Sequence, residues 1–288
     1  MPWQPLLTEA EPALLACDHS NGDLMTSGSA VPARLITIPL SHYCEKARWA
    51  LDRVGLPYRE EPHAPLFHRL ATKRKDRGTV PVMVDASGRF VDSTEILVHA
   101  DDVSGGDWLY PRDAVLRREV EVLEERFDTE LGPHTRRWAY QHLLPRAKLL
   151  RSLWSRKVPW LEARLLPAIT PLALHLVYAG YKITPESAQR SLERVQGVFR
   201  QVDQQLSDGR RFLTGERFSA ADLTFAALAA PVLLPVECCA VQPTLETVPA
   251  AMRAEILRFR NTNAGRFALR MFSEERGRSP ATTHSQTF

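Results

Sequence analysis

The sequence predicts an α/β domain with the element order β-α-β-α-β-β-α, followed by an all-helical domain. Three observations carry this. Strand-like and helix-like runs alternate over residues 33–109. The last two strand-like runs are joined by the short turn Ala86–Gly88, which pairs them antiparallel. After Pro111 apolar residues recur only at helical spacing.

Arg34–Leu40 (RLITIPL) has the β-branched run of a strand. In the following segment Cys44, Ala47, Leu51 and Val54 fall on one helical face. Ser41 is placed to cap that helix and Gly55 to end it. LPYREE is a second strand, and 66–76 (LFHRLATKRKD) a short basic helix or loop. Val80–Asp85 and the run RFVD are the third and fourth strands, and Ser93 opens a helix to about Ala100 as its N-cap.

In the second domain, Leu116, Val120, Leu123, Phe127 and Leu131 form one amphipathic stripe. Ala188, Leu192, Val195, Phe199, Val202 and Leu206 form another. Residues 134–183 hold Trp138, Trp154, Trp160 and several prolines, and read as two or three broken helices. Ser219 and Asp222 have capping-box spacing, with Phe218 and Leu223 as the apolar staple. That assigns Asp222 to folding. The apolar run behind it, TFAALAAPVLLP, belongs to a central helix.

The expected boundaries are a flexible extension at 1–32, the α/β domain at 33–109, the helical domain at 110–272 and a flexible tail at 273–288. The 288 residues include 44% hydrophobic and 25% charged, a globular composition that excludes wholesale disorder and simple coiled coil. A formal net charge of +3 leaves no electrostatic footprint for nucleic acid. Four cysteines in so long a chain make no disulfide framework, and no cluster has metal-ligand spacing. The first residues lack a basic start and an apolar core, so no secretory signal is expected, and the expected location is cytoplasmic. Residues 165–181 carry no charge but include Pro167, Pro171, His175 and Gly180. They are expected to form a buried or interface helix pair, with a membrane span as the lesser reading and membrane association through 165–181 as part of a non-catalytic alternative.

Four pieces then stand in order. They are Ser41-His42-Tyr43-Cys44 at a helix start, Val80-Pro81 opening a strand, Asp92-Ser93 opening the next helix, and FLTGERFSAADL in the helical domain. Over roughly residues 34–272 the chain resembles the soluble glutathione transferase family. The resemblance implies a thioredoxin-like domain that binds glutathione, a helical domain that supplies the second-substrate pocket, and a homodimer. It implies no metal.

Ser41 is the candidate catalytic residue. A helix start offers unpaired N–H groups and partial positive charge, which favour an anion. A free thiol, with a pKa near 8.5, is only a few per cent thiolate at pH 7. A hydrogen bond to the charged sulfur contributes about 1.5–3 kcal/mol, which lowers that pKa by about 1–2 units. Ser41 would donate its hydroxyl to the glutathione sulfur and would not itself attack; a plain N-cap is the other reading. Cys44 is the possible redox residue. In thioredoxin-like redox proteins the attacking thiol holds the first position of a C-x-x-C motif, and here that position is Ser41. On its apolar helix face Cys44 also fits simple packing. His42 and Tyr43 are adjacent donors, and Tyr43 is a lesser candidate for the sulfur contact.

The resemblance assigns Val80, Pro81, Asp92 and Ser93 to glutathione binding. A cis bond before Pro81 would turn the Val80 backbone outward to pair with the tripeptide, whereas a trans proline at a strand start is the plain reading. Ser93 and the first-turn N–H groups would hold the γ-glutamyl carboxylate, and Asp92 the neighbouring ammonium. Lys73, Arg74, Lys75 and Arg77 are alternatives for the glycyl carboxylate. Trp138, Tyr140 and Trp160 are candidates for the walls of an apolar pocket, or for core packing. The implied activity is conjugation of the glutathione thiolate to a small apolar electrophile. A thioltransferase or reductase using Cys44 and a non-catalytic binding protein on the same scaffold are the alternatives.

Overall fold

A computed structural model describes residues 32–72 and 78–279. The extension expected at the N-terminus lies outside these residues except for Pro32. Strand β1 (Ala33–Thr37) leads into helix α1 (His42–Val54), then β2 (Tyr58–Pro62), a single turn α2 (His68–Ala71), β3 (Val82–Val84), β4 (Arg89–Phe90) and α3 (Ser93–Val103). The sheet order is β2-β1-β3-β4. β1 and β2 are parallel, while β1–β3 and β3–β4 are antiparallel. This is the expected thioredoxin-like order.

Local chemistry sets the ends of α1. Ser41 caps it, and Gly55 closes it at φ 70, where its N–H and that of Leu56 take the carbonyls of Asp52 and Leu51. The start of α3 differs from expectation. Asp92, not Ser93, is the N-cap, and its carboxylate accepts from the Thr94 N–H at 2.8 Å. Ser93 is the first helical residue and is buried. Asp caps as well as Ser does, so the two adjacent residues gave no local basis for choosing between them.

The second domain comprises α4 (Ala114–Arg126), a π turn (Phe127–Leu131), α5 (Gly132–Leu143), α6 (Ala147–Trp154), α7 (Trp160–Gly180), α8 (Pro185–Gln205), α9 (Ala220–Leu233), α10 (Ala250–Arg260) and α11 (Asn263–Glu275). α9 is the core helix, buried along its length except at Pro231. The expected capping box starts it. Asp222 accepts from the Ser219 N–H at 2.8 Å and also from the Leu213 N–H at 2.7 Å.

Two expectations are corrected. Residues 165–181 do not form a helix pair. They lie in the single helix α7, which runs through Pro167 and Pro171 and buries only Leu166, Thr170 and Ala173. The packed chain also continues past 272. α11 reaches Glu275, whose carboxylate pairs with Arg53 at 2.9 Å, and Arg276 is buried against Glu45 (2.7 Å) and Asp52 (2.8 Å). These ion pairs fasten the end of the helical domain to α1.

The domains also meet at Lys46. Its buried ammonium contacts Glu124 (2.8 Å), Asp128 (2.6 Å) and the Thr94 hydroxyl (3.1 Å), which joins α1 and α3 to α4 and the π turn. Burial alone would push the Lys46 pKa down, but the two carboxylates carry it above its usual value.

Candidate active site

β1 ends at Thr37, and a turn closed by the Ser41 N–H on the Ile38 carbonyl (2.9 Å) delivers the chain to α1. Ser41 is half-buried, and its Oγ accepts from the Cys44 N–H at 3.3 Å. A hydroxyl that accepts in this way keeps its own proton for another partner. Ser41 lines a cavity of about 380 Å³ between the two domains.

The α/β domain contributes Ser41, Val80, His68 and Arg69 to this cavity. The opposite wall is largely apolar, with Tyr140 on α5, Leu176 and Val177 on α7, and Pro231 on α9. Among the described residues no carboxylate lines it, whereas Arg69 and Arg136 do. Burial, reinforced by the charge of Arg136, pushes His42 down to about 3, so it is neutral and donates Nε2–H to the Gly132 carbonyl at 3.0 Å. Burial also lowers His68, which bonds the Gly78 carbonyl at 3.0 Å. The two arginines thus set a positive potential in the cavity.

The predicted residues divide. Ser41 and Val80 come together on the cavity wall. The Val80–Pro81 bond is cis, and Pro81 is buried behind Val80. Asp92 and Ser93 stand at the start of α3 and are not among the lining residues; Asp92 is exposed. Cys44 is wholly buried and also off the wall; burial pushes its thiol up, against smaller opposing effects from Arg48 and Ser41. The Tyr43 hydroxyl is engaged elsewhere, donating to the Asp128 carbonyl at 2.9 Å. Of the three aromatic candidates only Tyr140 reaches the cavity. Trp138 packs in the core beside His142, and Trp160 is 74% exposed. Lys73, Arg74, Lys75 and Arg77 lie outside the described residues.

Sequence reasoning missed Arg69 and Arg136. Arg69 sits in the basic stretch already singled out, but only the packing of α2 beside Gly78 shows that it reaches the cavity. Arg136 is one of an adjacent arginine pair whose roles diverge. Arg137 bonds the Tyr181 carbonyl (2.9 Å) and the Ser191 hydroxyl (3.0 Å). Arg136 stacks its guanidinium 4.1 Å from the Tyr181 ring centroid, faces the cavity, and leaves its buried Nε without a hydrogen-bond partner.

Comparison with known proteins agrees with this architecture. The glutathione S-transferase N-terminal domain model matches residues 35–108, and the C-terminal domain model matches residues 185–232. Among solved structures, the chain is similar to glutathione transferase F2 from Populus trichocarpa, at 16% identity and TM-score 0.52, covering 84% of this chain and 99% of that one. It is similar to the beta-etherase LigF from Sphingobium sp. strain SYK-6 at 19% identity and TM-score 0.53, covering 82% and 98%. It is also similar to a glutathione S-transferase from Rhodospirillum rubrum F11 at 20% identity and TM-score 0.52, covering 84% and 98%. No curated protein matches the sequence. The chain thus carries the N-terminal and C-terminal domains of glutathione S-transferases, matched in their proper order on a fold of the same kind.

Proposed function

We propose that the protein is a serine-type glutathione transferase that activates the glutathione sulfur with Ser41 and delivers it to an electrophilic carbon. The observation that carries this reading is the placement of Ser41. Its hydroxyl caps α1, its proton is uncommitted to the cap, and it lines the inter-domain cavity together with Val80. Glutathione carries two carboxylates and one ammonium, so its net negative charge suits a wall whose described residues include two arginines and no carboxylate. Val80 would pair with the cysteinyl backbone, and the start of α3 at Asp92 and Ser93 would receive the γ-glutamyl end. Arg69, on the cavity wall, joins Lys73, Arg74, Lys75 and Arg77 as a proposed partner of the glycyl carboxylate.

The chemistry asked of the protein is modest. Ser41 and the α1 N-terminus favour thiolate over thiol, and the cavity holds sulfur and electrophile in reach of each other. The apolar wall from Tyr140, Val177 and Pro231 suits a small apolar second substrate. Arg136 offers a donor to an electron-rich group on it. The burial and raised pKa of Cys44 favour its reading as a packing residue.

The test is calorimetric titration with glutathione, joined to a conjugation assay with an activated aryl halide. The wild type should bind and conjugate, and Ser41→Ala should bind but lose conjugation. Equal conjugation in both would remove the Ser41 role. If only Cys44→Ser abolished turnover, with a mixed disulfide as substrate, the thioltransferase reading would replace this one.

A further inference from the structure

Helix α7 has two sides of different kinds. Its inner side packs Leu166, Thr170 and Ala173 against the protein and presents Val177 to the cavity. Its outer side is exposed and mainly apolar, interrupted by Arg164 and His175. Trp160 is 74% exposed, Leu161 52%, Leu165 43%, Leu172 55% and Tyr178 51%. At 1.5 Å per residue the 21-residue helix presents this face over about 30 Å. An apolar face of that extent marks an interaction surface.

The charges around it indicate the partner. Arg156, Lys157 and Arg164 lie at the N-terminal end, and Lys182 lies just past the C-terminal end. All four are exposed, and none forms an ion pair among the described residues; Lys157 bonds only the Cys239 carbonyl, at 3.2 Å. The single acid of the segment 146–185 is Glu162, and both its oxygens are occupied by His63 Nδ1 and the Ala64 N–H, each at 2.7 Å. A second copy docked antiparallel across this face would set cations against a cation with no carboxylate between them. A sheet of anionic headgroups over acyl chains complements both features.

We propose that the outer face of α7 docks the protein on an anionic lipid surface, lying in the plane of the headgroups. The helix does not cross the bilayer, because its inner side and Glu162 are already committed to the protein. The inference gives the membrane association considered for residues 165–181 a surface and a lipid class, and it is independent of the chemistry proposed for Ser41. Because α7 also walls the cavity, docking would bring that cavity close to molecules dissolved in the lipid.

The experiment is flotation of the full-length protein with vesicles of phosphatidylcholine alone or with one quarter phosphatidylglycerol. The wild type should float with the anionic vesicles and at least tenfold less with the neutral ones. Leu165→Asp/Leu172→Asp should lower flotation at least tenfold with unchanged circular dichroism. Arg156→Glu/Lys157→Glu, at exposed positions outside α7, should lower it severalfold and covers the case in which the first variant misfolds. No flotation of the wild type, or equal flotation of folded variants, would overturn the proposal. So would a wild-type dimer in sedimentation velocity that Leu165→Asp/Leu172→Asp converts to monomer, if neither floats.

Discussion

Two helices among the described residues have serine as N-cap, and their starts do opposite things. At α9, Ser219 is followed three residues later by Asp222, which accepts from the Ser219 and Leu213 N–H groups and from the Ser219 hydroxyl. That helix start is closed, and Ser219 is buried. At α1, Ser41 is followed three residues later by Cys44, whose uncharged thiol meets the Ser41 side chain without closing a carboxylate box, and the start opens on the cavity. The same residue at the same helical position therefore serves folding in one case and is available to an external anion in the other. The N3 residue makes the difference.

The largest expected effect is on the closed start. Asp222→Ala strands two buried N–H donors and should cost about 3 kcal/mol of stability or more, measured by urea unfolding. Glutathione affinity of the folded protein should be unchanged. An equal loss of both would erase the contrast between the two helix starts.

A pH series sharpens the comparison next. His42, beside Ser41, is held neutral with its pKa lowered to about 3, so the unfolded chain takes up a proton first as pH falls below about 6.5. Stability is then lost on acidification, by about 2 kcal/mol between pH 7 and pH 5. Asp222 acts in the other direction. Burial raises it to about 6, so the folded state gains a proton before the unfolded state does, which adds about 1 kcal/mol over the same interval. Net stability should fall from pH 7 to pH 5 in the wild type. In His42→Gln the loss should become smaller by about 2 kcal/mol, while His68, His134 and His142, also lowered by burial, keep their part of it; an unchanged slope would show that His42 does not contribute.

A smaller effect tests the cavity's charge. Arg69→Ala should weaken glutathione binding about tenfold, the loss of one charge-assisted hydrogen bond, with little change in stability. Calorimetry with glutathione and with its amidated glycyl analogue separates the cause, since the variant should no longer distinguish the two.

Much of this architecture was legible because its signals are local. The cap at Ser41, the terminator at Gly55, the box at Ser219 and Asp222, and the short turn before β4 each act within a few residues. What was not legible depends on how distant segments dock. α7 and α9 are both apolar helices containing proline, yet α9 is buried on all sides and α7 is largely exposed. Composition does not distinguish them; their neighbours do. Arg136 and Arg137 are adjacent in sequence, and only the packing of α5 decides which one faces the cavity. At Asp92 and Ser93 two good caps stand side by side, and the structure selects the first.

The most direct test of the open helix start is a pH titration of the bound glutathione sulfur, followed by thiolate absorbance in the wild type and in Ser41→Ala. The account predicts a thiol pKa about 1–2 units below the free value in the wild type, returning most of the way toward it in the variant. The same pKa in both proteins, or no shift in the wild type, would contradict it.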